Sequence, residues 1–150
     1  MADFTLRYSA SVIPYEIVTL ADTTTTVKSR HSVLDKSIGS SIEKTIGDTS
    51  TFIKYKQYTT STTGVAFSHS SIFNVTTTLN FLAVKIMSAA SSSTPQVEIS
   101  IDGTNYDIVL YGIGDICIMP LNNISTANIL IKSNAAPGLA TVEIMVAEEA

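Results

Sequence analysis

The chain's 150 residues, 45% hydrophobic and 15% charged, are enough for one domain with a real core and too few for two ordinary ones. A net charge of −4, with nine dispersed basic residues, argues against binding along a phosphate backbone, which needs clustered Lys and Arg. One cysteine, Cys117, rules out an intrachain disulfide, and no apolar run approaches the ~18–20 residues of a membrane helix.

Polarity is carried by hydroxyls instead of charges: Ser and Thr make up roughly a quarter of the chain, and Thr favours strands while Ser competes with helical backbone bonds. The N-terminus lacks a basic region followed by an apolar core, so no signal peptide is expected and the protein is read as made in a cytoplasm.

In chain order, Phe4 to Tyr8 and Ile13 to Leu20 read as strands, the second interrupted by Pro14, and Thr23–Thr26 is a polar tract. Between Val33 and Ile46, Leu34, Ile38, Ile42 and Ile46 recur every four residues. That spacing fits a helix face and also the alternation of a strand, while Gly39, Ser40 and Ser41 weaken a helix. The stretch is read as an extended or irregular arm with at most one helical turn. Residues 22–50 form an arm or long loop within a single domain of 1–150. Phe52–Tyr58, Val65–His69 and Ile72–Leu79 are further expected strands, with a loop at Thr59–Thr63.

The C-terminal half is more regular. Phe81–Met87 is a short apolar strand, followed by a small-residue loop from Ser88 to Pro95. From Gln96 to Asp102 the chain alternates, with Val97, Ile99 and Ile101 on one face, the mark of a half-buried strand. Asp102-Gly103 signals a hairpin turn and Tyr106–Tyr111 the returning strand. Gly112 and Gly114 break it; Ile116–Leu121, Asn128–Ser133 and Ala140–Ala147 follow, with a turn at Asn134–Gly138. In the last strand Val142, Ile144 and Val146 face inward, and Thr141, Glu143 and Met145 outward. About six strands at roughly ten-residue spacing predict a sandwich or barrel.

No motif carries chemistry. His31 and His69 are far apart and lack a carboxylate or cysteine at ligand spacing, whereas zinc takes three or four ligands. Ser68-His69-Ser70 lacks the Gly-rich elbow of a nucleophile. Asp102–Asp107 resembles a fragment of a calcium loop without its spacing or closing Glu. Gly112-Ile113-Gly114-Asp115 is no phosphate cradle. Asn74-Val75-Thr76 and Asn123-Ile124-Ser125 match the glycosylation pattern by chance. Asp102 with Asp107, or Glu143 with Glu148, have nothing to desolvate them and raise a carboxyl pKa. Lys54 and Lys56 alternate on a solvated strand face, and Cys117 reads as a small buried hydrophobe. No catalytic, cofactor-binding or metal-ligating residue is therefore assigned.

The progression Val97-Glu98-Ile99-Ser100-Ile101-Asp102-Gly103-Thr104-Asn105-Tyr106-Asp107-Ile108, then Ile118-Met119-Pro120-Leu121, then Ala140-Thr141-Val142-Glu143-Ile144, resembles the C-terminal part of small β-sandwich structural proteins of tailed bacteriophage virions. The resemblance implies a capsid-decorating, head-completion or tail-associated subunit that binds copies of itself and other virion proteins. The expectation is thus an all-β, antiparallel β-sandwich, jelly-roll-like, with an N-terminal arm. It is non-enzymatic, without cofactor, nucleic acid or membrane, a homo-oligomer located in the virion after assembly in the host cytoplasm. The alternative is a carbohydrate-binding or adhesion module of a tail fibre, disfavoured by the absence of Trp.

Overall fold

A computed structural model describes residues 5–12, 15–19, 26–30, 38–45, 53–89, 95–134 and 139–148. Those residues form strands, turns and irregular segments, with no helix. Two compact units are separable, Thr5–Thr45 and the remainder.

The smaller unit holds two separate two-stranded antiparallel sheets. Strand β1 (Thr5–Val12) pairs with β4 (Ile38–Thr45), and β2 (Tyr15–Thr19) with β3 (Thr26–Arg30). The first register runs from Thr5↔Thr45 to Val12↔Ile38, and the second from Tyr15↔Arg30 to Thr19↔Thr26. The four-residue spacing of Ile38 and Ile42 is therefore that of a strand. Four is an even number, so a period of two accommodates it as readily as a helix does, and cross-strand pairing decides. Leu34 and Ile46, the other members of that row, lie outside the described residues, as do Phe4, Pro14, His31, the tract Thr23–Thr25 and residues 135–138 of the expected turn.

The larger unit is a β-sandwich of two four-stranded antiparallel sheets. Its strands are β5 (Ile53–Thr59), β6 (Val65–Ala66), β7 (Thr78–Ala89), β8 (Gln96–Ser100), β9 (Ile108–Tyr111), β10 (Ile116–Ser125), β11 (Leu130–Ser133) and β12 (Ala140–Ala147). One sheet has the order β10-β7-β12-β5, the other β6-β11-β8-β9. Every connection crosses between sheets except β8 to β9. Pairing is nested about that hairpin: β8 with β9, β7 with β10, β6 with β11, β5 with β12. The pairs β7–β12 and β8–β11 then join the arms side by side.

One core fills the space between the sheets. Leu82, Val84 and Ile86 of β7 and Val142, Ile144 and Val146 of β12 meet Val97 and Ile99 of β8 and Ile129 and Ile131, all buried. The inward residues expected on β8, the β11 segment and β12 thus form the core, with one exception. Ile101 is only half-buried, because β8 ends at Ser100.

Several boundaries differ from expectation for local reasons. The strand expected over Val65–His69 stops at Ala66. Phe67–Phe73 forms turns closed by His69 N–H to Ala66 O (2.9 Å) and Ile72 N–H to His69 O (3.0 Å). Asn74 then takes a positive φ of 55°, outside the extended range of a regular strand, and the strand expected from Ile72 begins only at Thr78. The β8–β9 connection is a seven-residue loop, since Ile99 pairs with Ile108. Gly103 does take φ 83°, but the loop is organised by Asp102. Strand β10 runs to Ser125 through an irregularity between Pro120 and Ile124. It is an edge strand, where a residue lacking an N–H is tolerated.

The Asp102 carboxylate accepts from Asn105 N–H (2.7 Å), Thr104 N–H (2.8 Å), Asn105 Nδ2 (2.7 Å) and Ser100 Oγ (2.9 Å). The backbone N–H of Asn105, then that of Thr104, hold its pKa far below the usual carboxylate range. Because the folded-state value lies below the unfolded ~3.9, the stabilisation is fully present above that pH and is lost as pH falls through the folded value. Replacing Asp102 by Ala should therefore lower the urea midpoint at neutral pH, and the gap from the wild type should close on acidification below about pH 4. A gap independent of pH would contradict this role for the carboxylate.

Candidate functional site

The outer face of the sheet β10-β7-β12-β5 departs most from what an exposed sheet should present. A sandwich sheet normally alternates apolar-in and polar-out. Here the register aligns Ile118, Ala83, Met145 and Tyr55 across all four strands, positions alternate to the buried Leu82, Val84, Ile144 and Val146. One step along, Ile116, Lys85, Glu143 and Gln57 form the next row. In the other direction Phe81 and Ala147 are buried. Tyr55 is 54% exposed, Ile116 53% and Met145 38%, so large apolar surface lies open beside a short polar row.

The polar row is tied to the apolar one by a single cluster. Tyr55 Oη donates to Glu143 Oε1 (2.6 Å), and Gln57 Nε2 donates to the same oxygen (3.4 Å). The Tyr55 hydrogen bond, aided by Gln57 and the charge of Lys85, holds the Glu143 carboxyl below its ordinary value; the same bond raises the Tyr55 phenol. The carboxylate is thus fixed as an anion, an acceptor of hydrogen bonds and not a proton donor at neutral pH. Between Tyr55, Ala83, Lys85, Ile116, Glu143 and Met145 lies a shallow depression of about 160 Å³. Sites that enclose a small molecule run to ~300–1,000 Å³. This one can seat a protruding side chain but cannot surround a ligand.

The other residues weighed in the sequence are dispersed. His69 lies in the turn after β6, where its Nδ1 accepts from Ser71 N–H (3.1 Å). Asp102 is bound up in its own loop and Asp107 is exposed. Glu148 does not simply end the chain in water: it is half-buried and accepts from Thr77 Oγ1 (2.6 Å). Cys117 is half-buried against the core, and burial pushes its thiol pKa up. Lys54 and Lys56 are exposed on the edge strand β5, where cations discourage pairing with a foreign strand. Asn74 is an exposed loop residue and Asn123 is exposed in the irregular stretch of β10, with φ of 55° and 52°. Among the described residues no three His, Cys, Asp or Glu side chains come together as a metal site would require.

Elsewhere, Lys132 links the second sheet to the β8–β9 loop. Its Nζ lies 2.9 Å from Glu98 Oε2 and 4.0 Å from the Tyr106 ring centroid. Tyr106 reaches over Gly64, where an added Cβ would stand 1.9 Å from the phenol oxygen, so this close approach requires glycine.

Sequence reading placed Met145 and Glu143 on an outward face but did not find the cluster with Tyr55 and Gln57. The alternation of Phe52–Tyr58 gave half the signal; the missing half was the register between strands 88 residues apart. Comparison with protein-family models, with curated proteins and with solved structures gives no match to this chain.

Proposed function

We propose that the protein is a non-enzymatic structural subunit of a tailed-bacteriophage virion, a capsid-decorating, accessory or head–tail-associated protein acting through contacts with its own copies and with neighbouring virion proteins. The observation that carries this reading is the apolar outer row Ile118–Ala83–Met145–Tyr55. An open apolar patch rimmed by polar side chains is the mark of a protein contact. The nested strand order supports it further. Eight strands nested about one central hairpin, with all other connections crossing between sheets, are compatible with a jelly roll, an architecture used by viral shell proteins and by lectins. A surface rich in Ser and Thr also lets copies pack without strong like-charge repulsion.

The alternative, a carbohydrate-binding module, has one observation in its favour: an exposed aromatic ring, Tyr55, beside the amide of Gln57 and the carboxylate of Glu143. Shallow sugar sites combine such rings with such polar groups.

Mass spectrometry of phage particles purified from cells carrying this sequence tests the first reading. The protein should be present at a fixed copy number, and that number separates shell from tail. Its absence from particles, together with specific hits on a glycan array, would replace the first reading by the second.

A further inference from the structure

Among the described residues the sandwich has four edge strands, β10 and β5 in one sheet and β6 and β9 in the other. An unpaired edge is a template for a foreign strand unless something blunts it. Three of these edges are blunted. Strand β5 carries Lys54 and Lys56, both exposed. Strand β6 is two residues long. Strand β9 is four residues long, and the Tyr111 N–H is already taken by the Asp115 carboxylate (2.8 Å). Strand β10 differs from all three. It runs for ten residues, Ile116–Ser125, and none of them is charged.

The register fixes which backbone groups β10 turns outward. Ile86 N–H donates to Asp115 O (3.0 Å), and the pairing continues from there as Ile116↔Lys85, Cys117↔Val84 and Ile118↔Ala83. Antiparallel partners alternate between bonded and non-bonded pairs. Asp115 with Ile86 is bonded, so Cys117 with Val84 and Met119 with Leu82 are bonded as well. Ile116, Ile118 and Pro120 therefore point their backbone groups away from β7. Pro120 falls where its missing N–H costs no bond to β7. Among the described residues no strand lies on that side of β10. The outward edge offers a donor and an acceptor at both Ile116 and Ile118, and an acceptor alone at Pro120.

We propose that the edge Ile116–Ile118 pairs antiparallel with the same edge of a second copy, about a two-fold axis at Cys117, joining two four-stranded sheets into one of eight strands. The hydrogen-bonding pattern selects a second copy, because it is self-complementary. With Cys117 opposite its own counterpart, Ile116 of each chain faces Ile118 of the other, and each such pair exchanges both of its hydrogen bonds. The same pairs bring isoleucine against isoleucine across the new strand boundary, a contact of the kind that stabilises sheets. Charge agrees: two chains of net −4 meet with least repulsion along a strand that carries none. Pro120 sets the register. A slip that placed Ile118 opposite Ile118 would turn the Pro120 ring toward the Ile116 carbonyl, so pairing stops before it. A contact this short is small against the ~1,200 Å² at which specific interfaces begin, so the dimer forms as a function of concentration. The inference goes beyond the reading above: it concerns the edge of the sheet and holds whether or not the protein enters a virion.

Light scattering of the full chain should give 16.0 kDa when dilute and rise toward twice that mass on concentration. Ile118→Pro removes one outward N–H and no bond to β7, so it should fold and keep the mass of one chain where the unmodified protein doubles. Ile116→Lys puts a cation on the edge and should have the same effect should the proline variant fail to fold. Mild oxidation of the concentrated protein should link two chains through Cys117. In a Cys117→Ser background, Ile116→Cys mixed with Ile118→Cys should give the heterodimer beyond its statistical share. A strict monomer at every concentration would leave the edge to a strand from a different protein and overturn the proposal. An Ile118→Pro variant that dimerises as the unmodified chain does, or a purely statistical mixture of cross-linked products, would overturn it as well. Detection in particles is measured separately, so the two readings fail separately.

Discussion

Replacing Phe67 by Ala should destabilise the protein by about 3–5 kcal/mol, the range for emptying a buried aromatic site. Phe67 is fully buried in the first turn after β6 and meets Phe73 edge-on, with ring centroids 5.7 Å apart at 67°. The backbone around it is tied in place by Phe67 N–H to Ile129 O (2.9 Å), Ser68 N–H to Thr126 O (3.2 Å) and Phe73 N–H to Phe67 O (3.2 Å). These bonds keep the turn from collapsing into the space a smaller residue leaves, so the cavity term should be large. A small domain holds only ~5–15 kcal/mol of net stability, and this one substitution removes a substantial fraction. Urea unfolding should show a lower midpoint with an unchanged slope. Phe67→Leu, which keeps most of the volume, should lose less than half as much. Near-equal losses from both variants would mean that the ring's volume is not what matters.

Thr60→Val should cost about 1–3 kcal/mol, although it preserves shape, because it orphans buried polar groups. The Thr60 hydroxyl donates to Ala140 O (3.0 Å), accepts from Ala140 N–H (3.0 Å) and is hydrogen-bonded to Ser133 Oγ. All three residues are buried. Thr60 follows β5 and Ala140 opens β12 in one sheet, while Ser133 ends β11 in the other, so one hydroxyl ties the two sheets. Thr60→Ser keeps the hydroxyl and should cost only the lost methyl, about 0.8 kcal/mol. Adding Ser133→Ala to Thr60→Val should restore part of the loss, since one orphaned group disappears with it. A Val variant as stable as the wild type would show that the inter-sheet tie is not energetically significant.

What the sequence discloses of this fold is what alternation encodes. Val142, Ile144 and Val146 against Thr141, Glu143 and Met145 report one strand with one buried face, and β12 lies where that pattern lies. The pattern weakens wherever hydroxyls replace apolar residues. Between Phe67 and Thr77 the chain leaves the strand because turn hydrogen bonds and the positive φ of Asn74 decide it, and neither is visible in hydrophobicity. Ile38 and Ile42 are ambiguous alone and become a strand only through their register with Val12 and Tyr8. The outer row is the least legible feature. Its members come from β5, β7, β10 and β12, and no local pattern states which strands will be neighbours. Nesting about the β8–β9 hairpin brings them together, and nesting is a property of the whole chain.

Radical footprinting of the protein in dilute and in concentrated solution asks most directly whether the open face of the first sheet meets other copies. Tyr55 and Met145 should react freely when the chain is dilute and become protected on concentration, while Tyr111, 63% exposed on the other sheet, reacts equally in both. If Tyr55 and Met145 stay as reactive as Tyr111 at every concentration, that face is bare surface and the account of it as a subunit contact is wrong.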